Sequence, residues 1–375
     1  MYYQEKRRQD MRNKKPVMGW SSWNHYRIAI NEEIIRAQAD AMVERGLKDA
    51  GYSYINIDDG YFGGRDEDGR LFEHETKFPS GMKALADYIH AKGLKAGIYS
   101  EAGCNTCGSY ADGDLRGKGA GLSGHDEDDL RLFFDDWGYD FLKVDWCGGL
   151  RKGLCARRRY TEISRLVRDI APEAVYNVCR WKFPGAWVVD VADSWRISSD
   201  ISARFGPAIL PGTILNIIEK SAPLAKYVGP GHFNDMDMLQ VGRGMSADED
   251  RSHFAMWCMM SSPLLAGNDL CSMSDETAGI ITNPDLIAVN QDELGQQAVR
   301  VERGFGRQIW HKPLSGGRAA VAVLNSSAKA RKIGCRLSRW FGSRVVKECY
   351  SGLTRRAGEI DSIPLPPHGI AVYVG

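Results

Sequence analysis

Two aspartates carry the chemistry this chain advertises. Asp145 lies in Phe-Leu-Lys143-Val-Asp145-Trp-Cys147 and Asp200 in Trp195-Arg196-Ile-Ser-Ser-Asp200; each ends an apolar, strand-like run and has a cation close by, Lys143 or Arg196. Two carboxylates presented by neighbouring strands are the minimal equipment for cleaving a glycosidic bond. One attacks the anomeric carbon or stabilises its charge, and the other protonates the departing oxygen and then activates water. A single aspartate near a strand end is more simply a turn residue or a helix cap, so the reading depends on the company these two keep.

The elements that must position them follow from hydrophobic patterning. Eight short apolar or β-branched runs precede about residue 270: Val17–Trp20, Tyr54–Ile57, Lys95–Tyr99, Phe141–Val144, Ala174–Val178, Ser194–Ile197, Phe233–Met236 and Pro263–Ala266. Between them lie amphipathic stretches such as Asn31–Arg45 and Gly81–Lys92, the second ending in the helix-stop pair Lys92-Gly93. A strand and helix order repeated eight times predicts an α/β fold, a (β/α)8 TIM barrel of about 250 residues or more with its site at the carboxyl ends of the strands. Past Val289-Asn-Gln-Asp292 helical periodicity fades. Alternating segments such as Arg307–His311, Ala319–Leu324, Ser343–Glu348 and Ile370–Val374, split by Gly, Ser and Pro, predict a small antiparallel β-sandwich. The expected organisation is a charged N-terminal extension over 1–15, a barrel over 16–297 and a C-terminal β-sandwich domain over 298–375.

Composition narrows the partners. The chain has 375 residues, 43% hydrophobic, and 49 basic residues nearly cancel 48 acidic ones to a formal charge of +1. Such a balance offers no global field for nucleic acid or an anionic membrane and suits a neutral substrate. No run approaches the roughly 18 apolar residues of a membrane helix. The basic segment Met1–Lys15 has no apolar h-region behind it, so a cytoplasmic location is expected, or a secreted one if a leader was removed. Nine cysteines without paired CxxC spacing argue against a structural zinc site, and Cys104-Asn-Thr-Cys107, with no helix signal directly after it, against a redox pair.

If the barrel is right, residues at or just after each strand end should be polar, and they are. They are Ser21-Ser-Trp23-Asn24, Asp58-Asp59, Tyr99, Asp145, Cys179-Arg180-Trp181, Asp200 and Asp237. So many charges in one barrel mouth would each cost several kcal/mol unless paired or used. A sugar presents hydroxyls at its rim and an apolar C–H face, which calls for carboxylates, cations and an aromatic plane; Trp23 and Trp181 are the candidate planes.

These segments resemble glycoside hydrolase family 27, the melibiase-type retaining α-galactosidases of clan D. The motifs are Met18-Gly-Trp-Ser-Ser-Trp23-Asn, Tyr54-Ile-Asn-Ile-Asp58-Asp59-Gly60-Tyr, Gly97-Ile-Tyr99-Ser-Glu-Ala-Gly, Lys143-Val-Asp145-Trp-Cys147, Trp195-Arg196-Ile-Ser-Ser-Asp200-Ile, Gly231-His-Phe-Asn-Asp235-Met-Asp237-Met238-Leu and Ile287-Ala-Val-Asn-Gln-Asp292. The resemblance implies Asp145 as nucleophile and Asp200 as general acid, then base, of an exo-acting, retaining α-galactosidase without a cofactor. It casts Asp58 and Asp59 as the holders of the 4- and 6-hydroxyls, Lys143 as the contact to O3 and O4, and Arg196 as the contact to O2. Trp23 and Tyr99 become walls of the galactosyl subsite, Cys179 and Trp181 its strand-five side, and Asp237-Met238 its floor. Cys107 and Cys147 sit where the family forms a disulfide. No metal site is implied, and an oligomer is compatible with the sequence.

The chain departs from the family in two places. The partners of a second family disulfide correspond here to Ile28 and Gly60, and a strand-five loop that often reads Cys-Glu-Trp reads Cys179-Arg180-Trp181-Lys182. Bulky Trp181 disfavours α-N-acetylgalactosaminidase activity, and the intact Asp58-Asp59 pair disfavours β-L-arabinopyranosidase activity; these and an isomaltodextran-type glycosidase are the alternatives within the family. Outside it stand a metal-dependent barrel hydrolase using Asp58, Asp59, Asp145 and Asp237, and a non-catalytic sugar-binding protein.

Overall fold

The computed structural model describes residues 14–375, so the extension expected over 1–15 falls, up to residue 13, outside the described residues. Eight short strands form one sheet: β1 (Met18–Ser21), β2 (Tyr54–Ile57), β3 (Lys95–Glu101), β4 (Phe141–Asp145), β5 (Val175–Val178), β6 (Ser194–Arg196), β7 (Phe233–Asp235) and β8 (Leu264–Ala266). Their order is β8-β1-β2-β3-β4-β5-β6-β7, the succession of a (β/α)8 barrel. Among the described residues no helix is long and apolar enough to cross a membrane.

The chain divides into two compact units, one of residues 17–196 with 265–272, the other chiefly of 197–264 with 273–375. In the first, β1 to β6 pair in parallel, and their register aligns the strand ends: Glu101 stands opposite Asp145, and Val144 opposite Val178. Every residue of β2 and of β5 is buried, which is why these strands read as continuous apolar runs. The helix Glu32–Glu44 starts where the Asn31 side chain accepts the Ile34 amide, with Glu32 and Glu33 in its first turn. The helix Met82–Ala91 stops at Gly93, whose φ of 70° suits glycine, and Lys48 donates to the Lys92 carbonyl at 2.6 Å.

Three local features differ from the sequence reading. The β5 to β6 connection holds a 3-10 helix, Ala186–Asp190, and no α-helix, because Pro184, Gly185 and the β-branched pair Val188-Val189 oppose a longer one. After β2 the chain makes an antiparallel hairpin, Phe62–Arg65 with Leu71–Glu73, hidden from patterning by Gly63 and Gly64. A short helix, Cys107–Ala111, does follow the Cys104–Cys107 motif, capped by the Thr106 hydroxyl.

The second unit contains β7, the helices Ile214–Ser221, Ala247–Met259 and Pro284–Asn290, and the C-terminal strands. These are β9 (Val299–Gly304), β10 (Arg307–Leu314), β11 (Arg318–Asn325), β12 (Arg331–Gly334), β13 (Val345–Glu348), β14 (Thr354–Arg356), β15 (Ser362–Leu365) and β16 (Ile370–Val374). A six-stranded sheet ordered β9-β10-β11-β16-β13-β14 and the pair β12-β15 enclose a core that includes Ile309, Val321, Val323, Ile333, Phe341, Val346 and Ile363. Fully buried Lys312 fastens this sheet to the helices of the same unit. Its ammonium donates to the carbonyls of Cys258 and Val289 and to the Ser261 hydroxyl, three acceptors for three protons, although burial pulls it down to about 7.

Candidate active site

The carboxyl ends of β2, β3 and β4 meet around one lysine. Lys143, on β4, reaches back to Asp58 Oδ2 at 2.8 Å and lies 3.6 Å from Asp145 Oδ2, with its ammonium 5.4 Å from the Tyr99 ring centre. Burial alone would lower this ammonium, but the charges of Asp58 and Asp145 outweigh it and hold Lys143 well above its ordinary range. It is therefore a fixed cation beside the Asp145 carboxylate. Asp58 and Asp145 face this ammonium, which makes the pair a poorer site for a hard cation than two unpaired carboxylates would be.

Asp145 is 5% exposed, and its Oδ1 accepts the Trp146 amide at 3.1 Å, leaving Oδ2 on the lysine side. Asp58 is set by its own amide, which donates to Ser22 Oγ, and its Oδ1 accepts the Asp59 amide. Asp59 is fully buried, its two oxygens accepting the Gly60 and Gly108 amides at 2.9 and 2.6 Å. Burial pushes Asp59 up to about 7 against the pull of the Gly108 amide and the Thr106 hydroxyl. Tyr99 is also buried, and its hydroxyl accepts the Cys107 amide at 3.1 Å.

Cys107 forms a disulfide with Cys147, the pairing implied by the resemblance, and Cys104 is a free thiol, so the CxxC motif is not a redox pair. The bridge joins the loop after β3 to the turn after β4, the strand that ends in Asp145. Gly103 lets the same two loops touch, since a Cβ there would overlap the Gly148 backbone. The missing second family disulfide also has a structural counterpart. Ile28 and Gly60 are in direct contact, a Cβ on Gly60 would lie 2.7 Å from the Ile28 Cα, and Lys77 donates to both carbonyls at 2.8 and 3.0 Å. An ammonium clamp stands at this junction.

Cys179, just past the end of β5, and Arg196, the last residue of β6, are both buried, and an Arg196 guanidinium nitrogen lies 3.7 Å from the Cys179 sulfur. Trp181 is half-buried with φ of 57°, a left-handed conformation unusual for a bulky residue. Trp23 is half-buried, and the Arg27 guanidinium covers its ring at 4.0 Å. The second unit carries Asp200, exposed, and Asp237 and Met238, both buried. Asp237 has φ of 78°; its Oδ1 accepts the Met238 amide at 2.8 Å and its Oδ2 the Ile201 amide at 2.9 Å. Asp237 thus ties down the residue next to Asp200.

Sequence reasoning passed over Glu101, because the apolar run seemed to end at Tyr99 while β3 continues two residues further. Glu101 is fully buried, its Oε1 accepts the Gly103 and Gly149 amides at 2.9 and 3.1 Å, and its Oε2 lies 4.0 Å from the Cys107 sulfur. Burial, then the charge of Asp145, pushes it up to about 8 against those amides. Unfolded, Glu101 and Asp59 ionise near pH 4, so between about pH 4 and 8 the folded state holds protons that the unfolded state releases. Their contribution is complete below that window and lost as pH rises through it. The melting temperature of the native protein should therefore fall relative to that of Glu101→Gln between pH 5.5 and 8.5, while Lys312, pulled down to about 7, adds a slope of opposite sign to both proteins above about pH 7. Equal slopes for the two proteins in thermal melts would show that Glu101 is ionised throughout.

A glycoside hydrolase family model described as Alpha galactosidase A matches residues 15–292, and the model of the alpha galactosidase C-terminal beta sandwich domain matches residues 304–374. The chain is 40% identical to alpha-galactosidase A of Cellvibrio japonicus (strain Ueda107), over 96% of this chain and 91% of that one. Among solved structures, alpha-galactosidase I from Mortierella vinacea superposes with a TM-score of 0.87 at 31% identity, over 96% of this chain and 97% of that one. The Saccharomyces cerevisiae alpha-galactosidase with raffinose gives a TM-score of 0.84 at 29% identity, with the same coverage of 96% and 97%. With both family models matched and a relative of this identity along nearly its whole length, the chain belongs to the melibiase, or alpha-galactosidase A, family of glycoside hydrolases.

Proposed function

We propose that this chain is an exo-acting α-galactosidase that removes terminal α-D-galactosyl residues from oligosaccharides by double displacement. In the first step Asp145 attacks the anomeric carbon as the bond to the aglycone oxygen breaks, and Asp200 delivers a proton to that oxygen. In the second step Asp200 takes a proton from water, whose oxygen displaces Asp145, and the product keeps the anomeric configuration of the substrate. The observation that carries the reading is the Asp58–Lys143–Asp145 arrangement, a buried carboxylate held by one backbone amide and faced by a cation that cannot easily lose its proton.

Asp58, Asp59 and Lys143 are proposed to receive the 4-, 6- and 3-hydroxyls, and Arg196 the 2-hydroxyl. Trp23, Tyr99, Cys179, Trp181, Asp237 and Met238 would shape the rest of the galactosyl subsite. A pocket built to hydrogen-bond particular hydroxyls discriminates strongly against sugars that lack or misplace them. With p-nitrophenyl glycosides, kcat/KM for α-galactose should exceed that for β-L-arabinopyranose, α-N-acetylgalactosamine and α-glucose by about 100-fold or more. A different dominant sugar would overturn the substrate assignment, and no turnover of any of the four would overturn the enzyme reading.

A further inference from the structure

Arg180 is a half-buried cation that no carboxylate among the described residues pairs with. Because Val144 stands opposite Val178 and the Cys179 amide donates to the Val144 carbonyl at 2.9 Å, Arg180 falls beside Trp146, one residue past Asp145 on the neighbouring strand. Its guanidinium lies over the Trp146 ring at 5.7 Å. Trp146 is itself 3% exposed and rests on Tyr160 at 5.1 Å, which stacks on Trp187 at 6.4 Å, so the platform under the cation is rigid. Arg180 Nε is buried and has no hydrogen-bond partner, and among the described residues no carboxylate pairs with Arg180. The next residue, Trp181, holds a left-handed backbone conformation, which fixes where the arginine leaves the strand.

A guanidinium presents its donors in a fork that matches a carboxylate or sulfate, and covering it with substrate while it is unpaired would be unfavourable. Resting on the function proposed above, the galactosyl unit is neutral and brings no anion, so a matching anion must come from the other side of the scissile bond. We propose that Arg180 is a specificity determinant of the leaving-group subsite, selecting galactosides whose aglycone carries a carboxylate or sulfate. The exposed cation two residues on, Lys182, adds to the same field.

The test compares melibiitol and melibionate, open-chain derivatives of one α-1,6-galactoside that differ in a neutral alcohol against a carboxylate. The native enzyme should favour melibionate in kcat/KM by about tenfold, the equivalent of one charge-assisted pair. Arg180→Gln should bring the ratio to about one and Arg180→Glu should invert it, and added salt should erode the preference of the native enzyme alone. Turnover of melibiitol with a ratio near one in native and variant enzymes alike would overturn the role of Arg180 and leave the α-galactosidase reading intact. Failure to hydrolyse either compound, or p-nitrophenyl α-galactoside, would overturn that reading itself.

Discussion

Asp145→Gly lowers kcat on p-nitrophenyl α-galactoside by about 10⁴-fold or more, because the covalent route closes and no neighbouring group replaces the attacking oxygen. Galactose affinity, measured by calorimetry, should change by no more than a few fold, since Asp58 and Lys143 keep their 2.8 Å pair. Added azide should then restore turnover in the variant, entering the space of the lost carboxylate and giving the galactosyl azide of inverted configuration. A variant that hydrolyses at the native rate would assign the nucleophile elsewhere.

Asp200→Ala should separate substrates by their leaving groups. Melibiose, whose departing alcohol needs a proton, should lose about 10²- to 10⁴-fold in kcat/KM, while a nitrophenyl galactoside should lose much less because its phenolate leaves without help. Deglycosylation then limits the aryl substrate, so azide should accelerate it and give an azide of retained configuration, the opposite of the Asp145 result. Product configuration by NMR distinguishes the two. Equal losses on melibiose and the aryl galactoside would contradict a general-acid role for Asp200.

What the sequence made legible was what local chemistry determines. Tyr54–Ile57 and Ile370–Val374 match observed strands end to end because apolar, β-branched runs bounded by polar turns admit little else. The strands that escaped notice lack that mark. Thr354–Arg356 is exposed along its whole length, and Val299–Gly304 is a mostly exposed strand rich in Arg and Glu. In the site, the aspartates could be found because each closes such a run. Their partners could not, since they arise from the sheet register and loop approach: Lys143 meets Asp58 across 85 residues, and Glu101 meets the Gly149 amide across 48. The pairing of Cys107 with Cys147, and not with Cys104, was visible only through family resemblance, because the two segments are joined by β3 and β4 lying side by side.

The central claim is that the Asp145 carboxylate becomes covalently attached to the sugar, and trapping tests it most directly. A 5-fluoro-α-galactosyl fluoride slows both steps by destabilising positive charge at the ring, while its good leaving group keeps the first step ahead of the second, so the intermediate accumulates. Tryptic cleavage gives a peptide Val144–Arg151 whose only side-chain carboxylate is Asp145, and a peptide Ile197–Arg204 whose only one is Asp200. Mass spectrometry should find one fluorogalactosyl adduct per chain on Val144–Arg151. An adduct on Ile197–Arg204, or inactivation without any adduct, would contradict the account.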